Sequence, residues 1–265
     1  MAQKLNQSGR NIGVQIDGHH NTVRIYSGQA ELTLVRRHRR KRAPVKDLDL
    51  LNPYSNAIPL IGREDQVASL RAWLDSPKPI AIRGLTGRAG SGKTRLALEL
   101  CAAVEGPDAD DEDGEGWLAG FLEHDELTHF PARQNLAGWD WPRPLLAVVD
   151  YAAASAQRLR AWLLSLAENQ PPDGHPPLRL LLLERHADTQ LGWWADLIRP
   201  GSWAAPVEDL LDPAQPVPLP TIADPEQRRA ILSEVPGGGR TLPRAGGGAA
   251  GRVPCGPGDG PQQPR

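Results

Sequence analysis

Cysteine is scarce in this chain: two residues in 265, Cys101 inside an apolar helical pattern and Cys255 in a Gly/Pro-rich tail. Two thiols so placed argue against a disulfide framework and against the paired spacing of a structural zinc site, so a reducing cytoplasm is the expected compartment. Long apolar runs are also missing. No charged start leads into an apolar stretch, and no run approaches the roughly 18 residues of a membrane span, so neither a secretory signal nor a span is expected. Nor is there an excess of one charge, since 30 Lys and Arg stand against 32 Asp and Glu, a net charge of −2. The molecule as a whole therefore has no field that selects nucleic acid or an anionic membrane, and any such contact must come from a local run.

What the chain does contain is a phosphate-binding pattern. Residues Gly87-Arg88-Ala89-Gly90-Ser91-Gly92-Lys93-Thr94 match G-x-x-x-x-G-K-[ST] at every fixed position. Gly87, Gly90 and Gly92 let the backbone bend so that successive N–H groups, that of Ser91 among them, point at a β-phosphate. Lys93 reaches the β- and γ-phosphates, and the Thr94 hydroxyl ligates Mg²⁺. The context agrees: Pro79 to Leu85 reads as the entering strand and Thr94 to Cys101 as the leaving helix, which puts phosphate at a helix N-terminus. A ligand-free glycine-rich turn is the alternative.

Two strand ends supply further candidates. Asp150 closes the apolar strand Leu145 to Val149, where a carboxylate can hold Mg²⁺ through water; a cap on the following helix is the competing role. Arg185 closes the near-continuous apolar run Leu178 to Leu183, where its planar fork can meet a γ-phosphate and sense ATP against ADP; a solvated surface arginine is the competing role. Runs apolar on both faces belong to strands buried between helix layers, as in a parallel sheet.

Elsewhere the chain alternates strand and helix. Val67, Leu70 and Leu74 mark a helix after Leu60-Ile61-Gly62-Arg63-Glu64. Trp117 to Leu122 reads as a strand, and Leu159, Trp162, Leu163 and Leu166 mark an amphipathic helix over Ala152 to Glu168. The Trp residues, the Trp193-Trp194 pair included, are expected as packing residues. At the N-terminus, Ile12, Val14 and Ile16 alternate up to the turn Asp17-Gly18-His19-His20-Asn21, and Val23 and Ile25 resume; a third strand is expected over Ala30 to Val35. So little sheet is marginal alone and is expected to dock on a neighbour or on another copy. His19 and His20 are read as exposed turn residues, since no third ligand lies at metal-binding spacing. Arg36-Arg37-His38-Arg39-Arg40-Lys41-Arg42 is expected to be a solvated hinge, with only weak nucleic-acid contact because no aromatic residues interleave it. Asp108 to Glu115 is an acid-rich surface loop. Asp224-Pro225 begins a capped helix, after which Pro236 to Arg265, with ten Gly and six Pro, is expected to be disordered. A native low-complexity tail and a frame-shifted gene end both fit that composition.

The Ile61-Gly62-Arg63-Glu64 box, the phosphate loop, the strand ending Val148-Val149-Asp150-Tyr151-Ala152 and the strand ending in Arg185 together resemble the STAND class of signal-transduction ATPases, relatives of the AAA+ and NACHT groups. The resemblance covers about residues 55 to 235. It implies a three-layer α/β/α P-loop NTPase core with parallel strand order 5-1-4-3-2, in which ATP/ADP exchange switches a protein between closed monomer and oligomer. It also implies Ile61, Gly62 and Arg63 near the adenine, Lys93 and Thr94 at phosphate and Mg²⁺, Asp150 at the metal, and Arg185 as sensor. The Asp17 to Val23 turn looks like a short β module found ahead of such ATPases in bacteria. The expected organisation is a β-hairpin module over 1–35, a basic linker over 36–54, the core over 55–235 and the tail over 236–265. Two departures stand out. Tyr151, Ala152, Ala153 and Ala154 follow Asp150 where relatives carry a second acid, so hydrolysis is expected to be slow or absent. Relatives also continue into helical and repeat domains, so the chain is expected to be truncated. The function expected is a cytoplasmic, nucleotide-dependent signalling switch with an unidentified effector. A non-hydrolysing interaction module, a small-molecule kinase and a DNA-associated ATPase are the alternatives.

Overall fold

The computed structural model describes residues 5–7, 10–17, 22–27, 30–37, 52–55, 59–105, 111, 114–133, 136–199 and 206–234. The turn bearing His19 and His20, residues 38–42 of the basic run, most of the acid-rich loop and the tail over 236–265 lie outside the described residues.

Four antiparallel strands come first: β1 (Leu5–Gln7), β2 (Arg10–Asp17), β3 (Thr22–Ser27) and β4 (Ala30–Val35). Their register sets Val14 opposite Ile25, Val23 opposite Leu34 and Ile25 opposite Leu32, so the alternation read from the sequence gathers one apolar face. The other face is half-exposed and polar, and there the Tyr26 hydroxyl donates to Gln15 Oε1 at 2.9 Å.

The remaining elements alternate: α1 (Glu64–Leu74), β5 (Ile80–Thr86), α2 (Lys93–Val104), β6 (Leu118–Phe121), α3 (His124–Arg133), β7 (Leu145–Asp150), α4 (Ala156–Glu168), β8 (Leu178–Glu184), α5 (Gly192–Ile198), β9 (Val217–Pro218) and α6 (Pro225–Ser233). All described strands join one nine-stranded sheet in the order β1-β2-β3-β4-β6-β7-β8-β5-β9. Strands β6, β7, β8, β5 and β9 are mutually parallel. Alternation along them divides the core. Ile82, Ala147, Val149, Leu180 and Leu182 face α4 and α5, where Trp162 and Trp194 are fully buried. Leu85, Val148, Leu181 and Leu183 face α1 and α2, packing on Leu70, Trp73, Leu96 and Leu100. The chain is therefore an α/β protein with helices on both faces of a largely parallel sheet. No helix among the described residues is long and apolar enough to cross a membrane.

The N-terminal strands find their support within the same chain. Val35 of β4 pairs with Phe121 of β6, and Val23, Ile25, Leu32 and Leu34 pack in one cluster with Leu127 and Phe130 of α3 and with Trp139. Gly120 permits this junction, because a Cβ there would stand 2.9 Å from Leu34 Cβ and 3.1 Å from the Val35 carbonyl oxygen. Glu126 of α3 accepts the Thr33 N–H at 2.7 Å, answering a backbone donor of β4. Burial raises its carboxyl above the ordinary value, although the Thr33 bond opposes the shift.

Arg36 and Arg37 correct the expectation of a solvated hinge. Arg36 is buried and its Nε lies 3.1 Å from Glu105 Oε1 at the end of α2. Arg37 Nη2 reaches Glu123 Oε1 at 2.5 Å, Nη1 donates to the Tyr54 hydroxyl, and the guanidinium lies over the rings of Tyr54 and Phe121. Paired charges and aromatic faces offset the mutual repulsion that the composition suggests.

Arg179 is the polar interruption in β8 that strand periodicity leaves unexplained. It is buried, and its guanidinium donates to the carbonyls of Leu74, Ser76, Lys78 and Leu178 at 2.7 to 3.0 Å. Arg179 thus answers acceptors at the C-terminal end of α1 and around the starts of β5 and β8. Burial pushes its guanidinium down to about 10, against the pull of Asp212 and Asp75.

Candidate functional site

The C-terminal ends of β5, β7 and β8 lie side by side, Thr86 opposite Glu184 and Asp150 opposite Leu183. This is the edge of a parallel sheet at which ligands characteristically bind. β5 runs into the glycine-rich loop. Gly90 and Gly92 adopt φ of 76° and 92°, conformations that exclude most side chains whatever the space around them. Gly87 is needed for a different reason, since a Cβ there would stand 2.8 Å from Ser91 Oγ and 2.9 Å from the Leu219 carbonyl oxygen. The loop delivers the chain into α2, whose first turn has no side-chain cap, so its N–H groups face the loop and suit an anion. Ser91 Oγ is buried without a hydrogen-bond partner among the described residues.

Lys93 curls back over this loop, its Nζ donating to the carbonyls of Gly87 at 2.5 Å and Arg88 at 3.2 Å. Burial lowers its ammonium below the ordinary lysine value; Asp150 and Glu184 oppose that shift and Arg185 adds to it. Thr94 Oγ1 donates to Asp150 Oδ2 at 2.8 Å, bringing the two expected metal-side residues together across 56 positions of sequence. The other carboxylate oxygen accepts the Tyr151 N–H at 3.1 Å. Helix α4 starts only at Ala156, after a 3-10 turn over Ala152–Ser155, so Asp150 does not cap it.

Glu184, the last residue of β8, bridges the two strand ends. Its Oε1 accepts the Arg185 N–H at 2.7 Å and its Oε2 the Ala153 N–H at 3.1 Å. Arg185 itself is exposed beside it.

A cleft of about 430 Å³ runs through these groups. Its lining includes Gly90 to Thr94, Asp150, Glu184 and Arg185, and the apolar residues Pro53, Pro59, Leu60, Ile61, Ile222 and Ile231. The lining thus combines a polar set, in which Lys93 and Arg185 stand against Asp150 and Glu184, with an apolar set. Of the expected base-side residues, Ile61 belongs to the apolar set, whereas Gly62, at φ 68°, packs on Gln227 of α6. Arg63 touches the cleft, but its guanidinium is committed to backbone: Nη2 donates to the Ser91 carbonyl at 2.8 Å and to the Pro220 carbonyl at 2.7 Å. Burial lowers the Arg63 guanidinium below its ordinary value. It ties the backbone of the glycine-rich loop to the segment after β9.

Glu184, Leu60, Arg95, Ile222 and Ile231 line the cleft without having been singled out in the sequence. Glu184 carried a signal, a carboxylate ending an apolar strand next to Arg185. Ile222 and Ile231 carried none, because only the return of the chain along β9 brings them there.

Comparison of the chain with protein-family models and with curated proteins finds no match.

Proposed function

We propose that this chain is an ATP-binding molecular switch of the P-loop NTPase type, similar to STAND signalling ATPases, with slow turnover. The observation that carries the reading is the cleft of about 430 Å³ lined both by the glycine-rich loop with the Thr94–Asp150 pair and by the apolar side chains of Leu60, Ile61, Ile222 and Ile231. Adenine would lie against Leu60, Ile61 and Ile222, and the phosphates would meet the loop N–H groups and Lys93. The residues fit such a ligand: Gly87 leaves no room for a side chain, Ser91 Oγ has no partner among the described residues, and α2 opens uncapped. The five parallel strands, taken in chain order, run 5-1-4-3-2 across the sheet, which further supports the reading.

Thr94 and Asp150 would hold Mg²⁺, which would neutralise charge on the phosphates. Among the described residues no three His, Cys, Asp or Glu side chains converge on a metal position. One carboxylate, one hydroxyl and the nucleotide's own oxygens are the usual set for Mg²⁺ bound with a triphosphate. Arg185, exposed at the cleft, would sense the γ-phosphate. ATP/ADP exchange would then bias the chain between monomer and oligomer.

Titration with fluorescent ATP, wild type against Lys93→Ala, tests the reading. Saturable binding lost in the variant is expected; equal affinity in both proteins rules out the phosphate-loop role. The DNA-associated alternative rests on the basic run, and Arg36 and Arg37 are turned onto protein. Weak binding to DNA of any sequence, gone near physiological salt, is therefore expected of that run.

A further inference from the structure

We infer that Glu184 is the catalytic carboxylate of this site, taking over on β8 the role of water alignment and proton acceptance that the Tyr-Ala-Ala-Ala segment after Asp150 cannot perform. The inference rests on the proposal that the cleft binds ATP.

Three observations converge on Glu184. First, it lines the cleft together with Lys93, Asp150 and Arg185, on the strand lying between β5, which leads into the glycine-rich loop, and the Asp150 strand β7. Its charge is felt at Lys93, the residue expected at the γ-phosphate. Second, the carboxylate is held from both sides. The Arg185 N–H fixes one oxygen and the Ala153 N–H the other, so its orientation does not depend on a flexible side chain. An ionised carboxylate offers about four acceptor positions. The two N–H bonds leave a lone pair on each oxygen for a water molecule. Third, Ala152 is fully buried in the turn after β7, and the residue after it turns its backbone N–H onto Glu184. The turn that lacks an acid after β7 thereby helps to orient one on β8.

The chemistry balances without another reactant. The water oxygen bonds to the γ-phosphorus as the bond from that phosphorus to the β–γ bridging oxygen breaks, its electron pair leaving on ADP. Glu184 accepts one proton from the water and passes it to the released phosphate. A positioned base of this kind accounts for about 10²- to 10⁴-fold in rate.

The test compares wild type, Glu184→Gln, Glu184→Ala and the Lys93→Ala control. The measurements are ATP and ADP affinity by fluorescent-nucleotide titration, phosphate release in a single turnover, and thermal unfolding. Glu184→Gln is expected to fold and to bind ADP as wild type does. Its phosphate release should fall by about 100-fold or more. Because a carboxylate facing a γ-phosphate repels it, the amide should also raise the ratio of ATP to ADP affinity by about fivefold. A purely structural Glu184 would leave that ratio unmoved. Three results overturn the inference: phosphate release within threefold of wild type in Glu184→Gln, an unchanged affinity ratio, or wild-type release no faster than the Lys93→Ala control. If Glu184→Gln fails to fold, Glu184→Ala decides by the same two readouts, and failure of both variants to fold marks Glu184 as structural. Absence of ATP binding to wild type overturns the nucleotide reading itself, whereas binding without dependence on Glu184 overturns only its catalytic role.

Discussion

The Thr94 hydroxyl hydrogen donates to Asp150 Oδ2 at 2.8 Å, joining the start of α2 to the end of β7. A hydroxyl and a carboxylate in hydrogen-bond contact in the lining of a cleft present two hard oxygens to one cation. Replacing Asp150 by Asn keeps an acceptor for Thr94 and removes the charge. Asp150→Asn should therefore bind ATP almost normally in EDTA and lose most of the increment that Mg²⁺ adds. Titrations with and without Mg²⁺ measure this directly, and an equal Mg²⁺ increment in both proteins assigns Asp150 to the Tyr151 turn alone.

The hydrogen bonds of Lys93 among the described residues go to the loop carbonyls of Gly87 and Arg88, so truncating it should spare the fold. Lys93→Ala is expected to abolish ATP binding with a melting temperature within a few degrees of wild type, since substitutions outside packed or networked positions usually change stability by about 0.5 kcal/mol or less. Burial lowers the Lys93 ammonium, with Asp150 and Glu184 opposing. ATP affinity should accordingly decline on the alkaline side at a pH below the ordinary lysine range. Affinity that is flat to the ordinary lysine value, or that rises with pH, argues against Lys93 as the phosphate partner.

Strands and motifs with local signatures are legible in the amino-acid sequence itself. The apolar runs ending at Asp150 and Glu184 form β7 and β8, and Leu159, Trp162, Leu163 and Leu166 form the buried stripe of α4. Helix α6 starts where Asp224-Pro225 places it, the Asp224 side chain accepting the Glu226 N–H at 2.9 Å. Less legible are features that depend on distant partners. Arg36 and Arg37 read as solvated because periodicity cannot see Glu105, Glu123 or the Tyr54 ring. The Ile61-Gly62-Arg63 box does not announce the contacts that Arg63 makes, because the two carbonyls that hold it lie 28 and 157 residues away. Strand β9 is two residues long and has no pattern to find, yet it carries Ile222 and Ile231 toward the cleft.

Arg63 bridges the Ser91 and Pro220 carbonyls from a buried position, so its loss should be felt in the glycine-rich loop and in the segment after β9. Arg63→Ala leaves two acceptors without their donor and should cost about 1 to 3 kcal/mol for each one that water cannot reach. Arg63→Lys keeps the charge and an amino group that can donate to both carbonyls, but places it on a flexible stem in place of the rigid guanidinium plane that holds Nη2. Both variants should melt lower and bind ATP more weakly, the Lys variant less severely. Wild-type melting in Arg63→Ala contradicts the bracing role.

Tyr151 occupies the left-handed region at φ 56° and the residue is 63% exposed. That conformation costs a non-glycine residue about 1 to 2 kcal/mol, and little packing repays it here. Tyr151→Gly should therefore match or exceed wild-type stability, while Tyr151→Val, β-branched in the same geometry, should lose about 1 kcal/mol or more. Denaturant midpoints compare the two. A glycine variant less stable than wild type shows that the ring, and not the backbone, governs this position.

His175 has both ring nitrogens against acceptors, Nε2 at 2.8 Å from Asp140 Oδ1 and Nδ1 at 2.9 Å from the Pro176 carbonyl oxygen. Only the imidazolium can donate on both sides. Burial pulls its proton affinity down, but the bonds to Asp140 and Pro176 and the Asp140 charge outweigh that, and the net direction is up. A histidine held above its unfolded value, near 6.5, adds stability that is complete below that pH and lost as pH rises through the folded value. Replacing His175 by Asn removes the titration. The melting-temperature advantage of wild type over His175→Asn should be largest near about pH 5.5 and should shrink toward about pH 8.5. Asp140→Asn, which keeps an acceptor while removing the charge, should flatten the same slope. A wild-type advantage that is constant or grows with pH shows that His175 is held neutral, its contacts to Asp140 and Pro176 being made with a single proton.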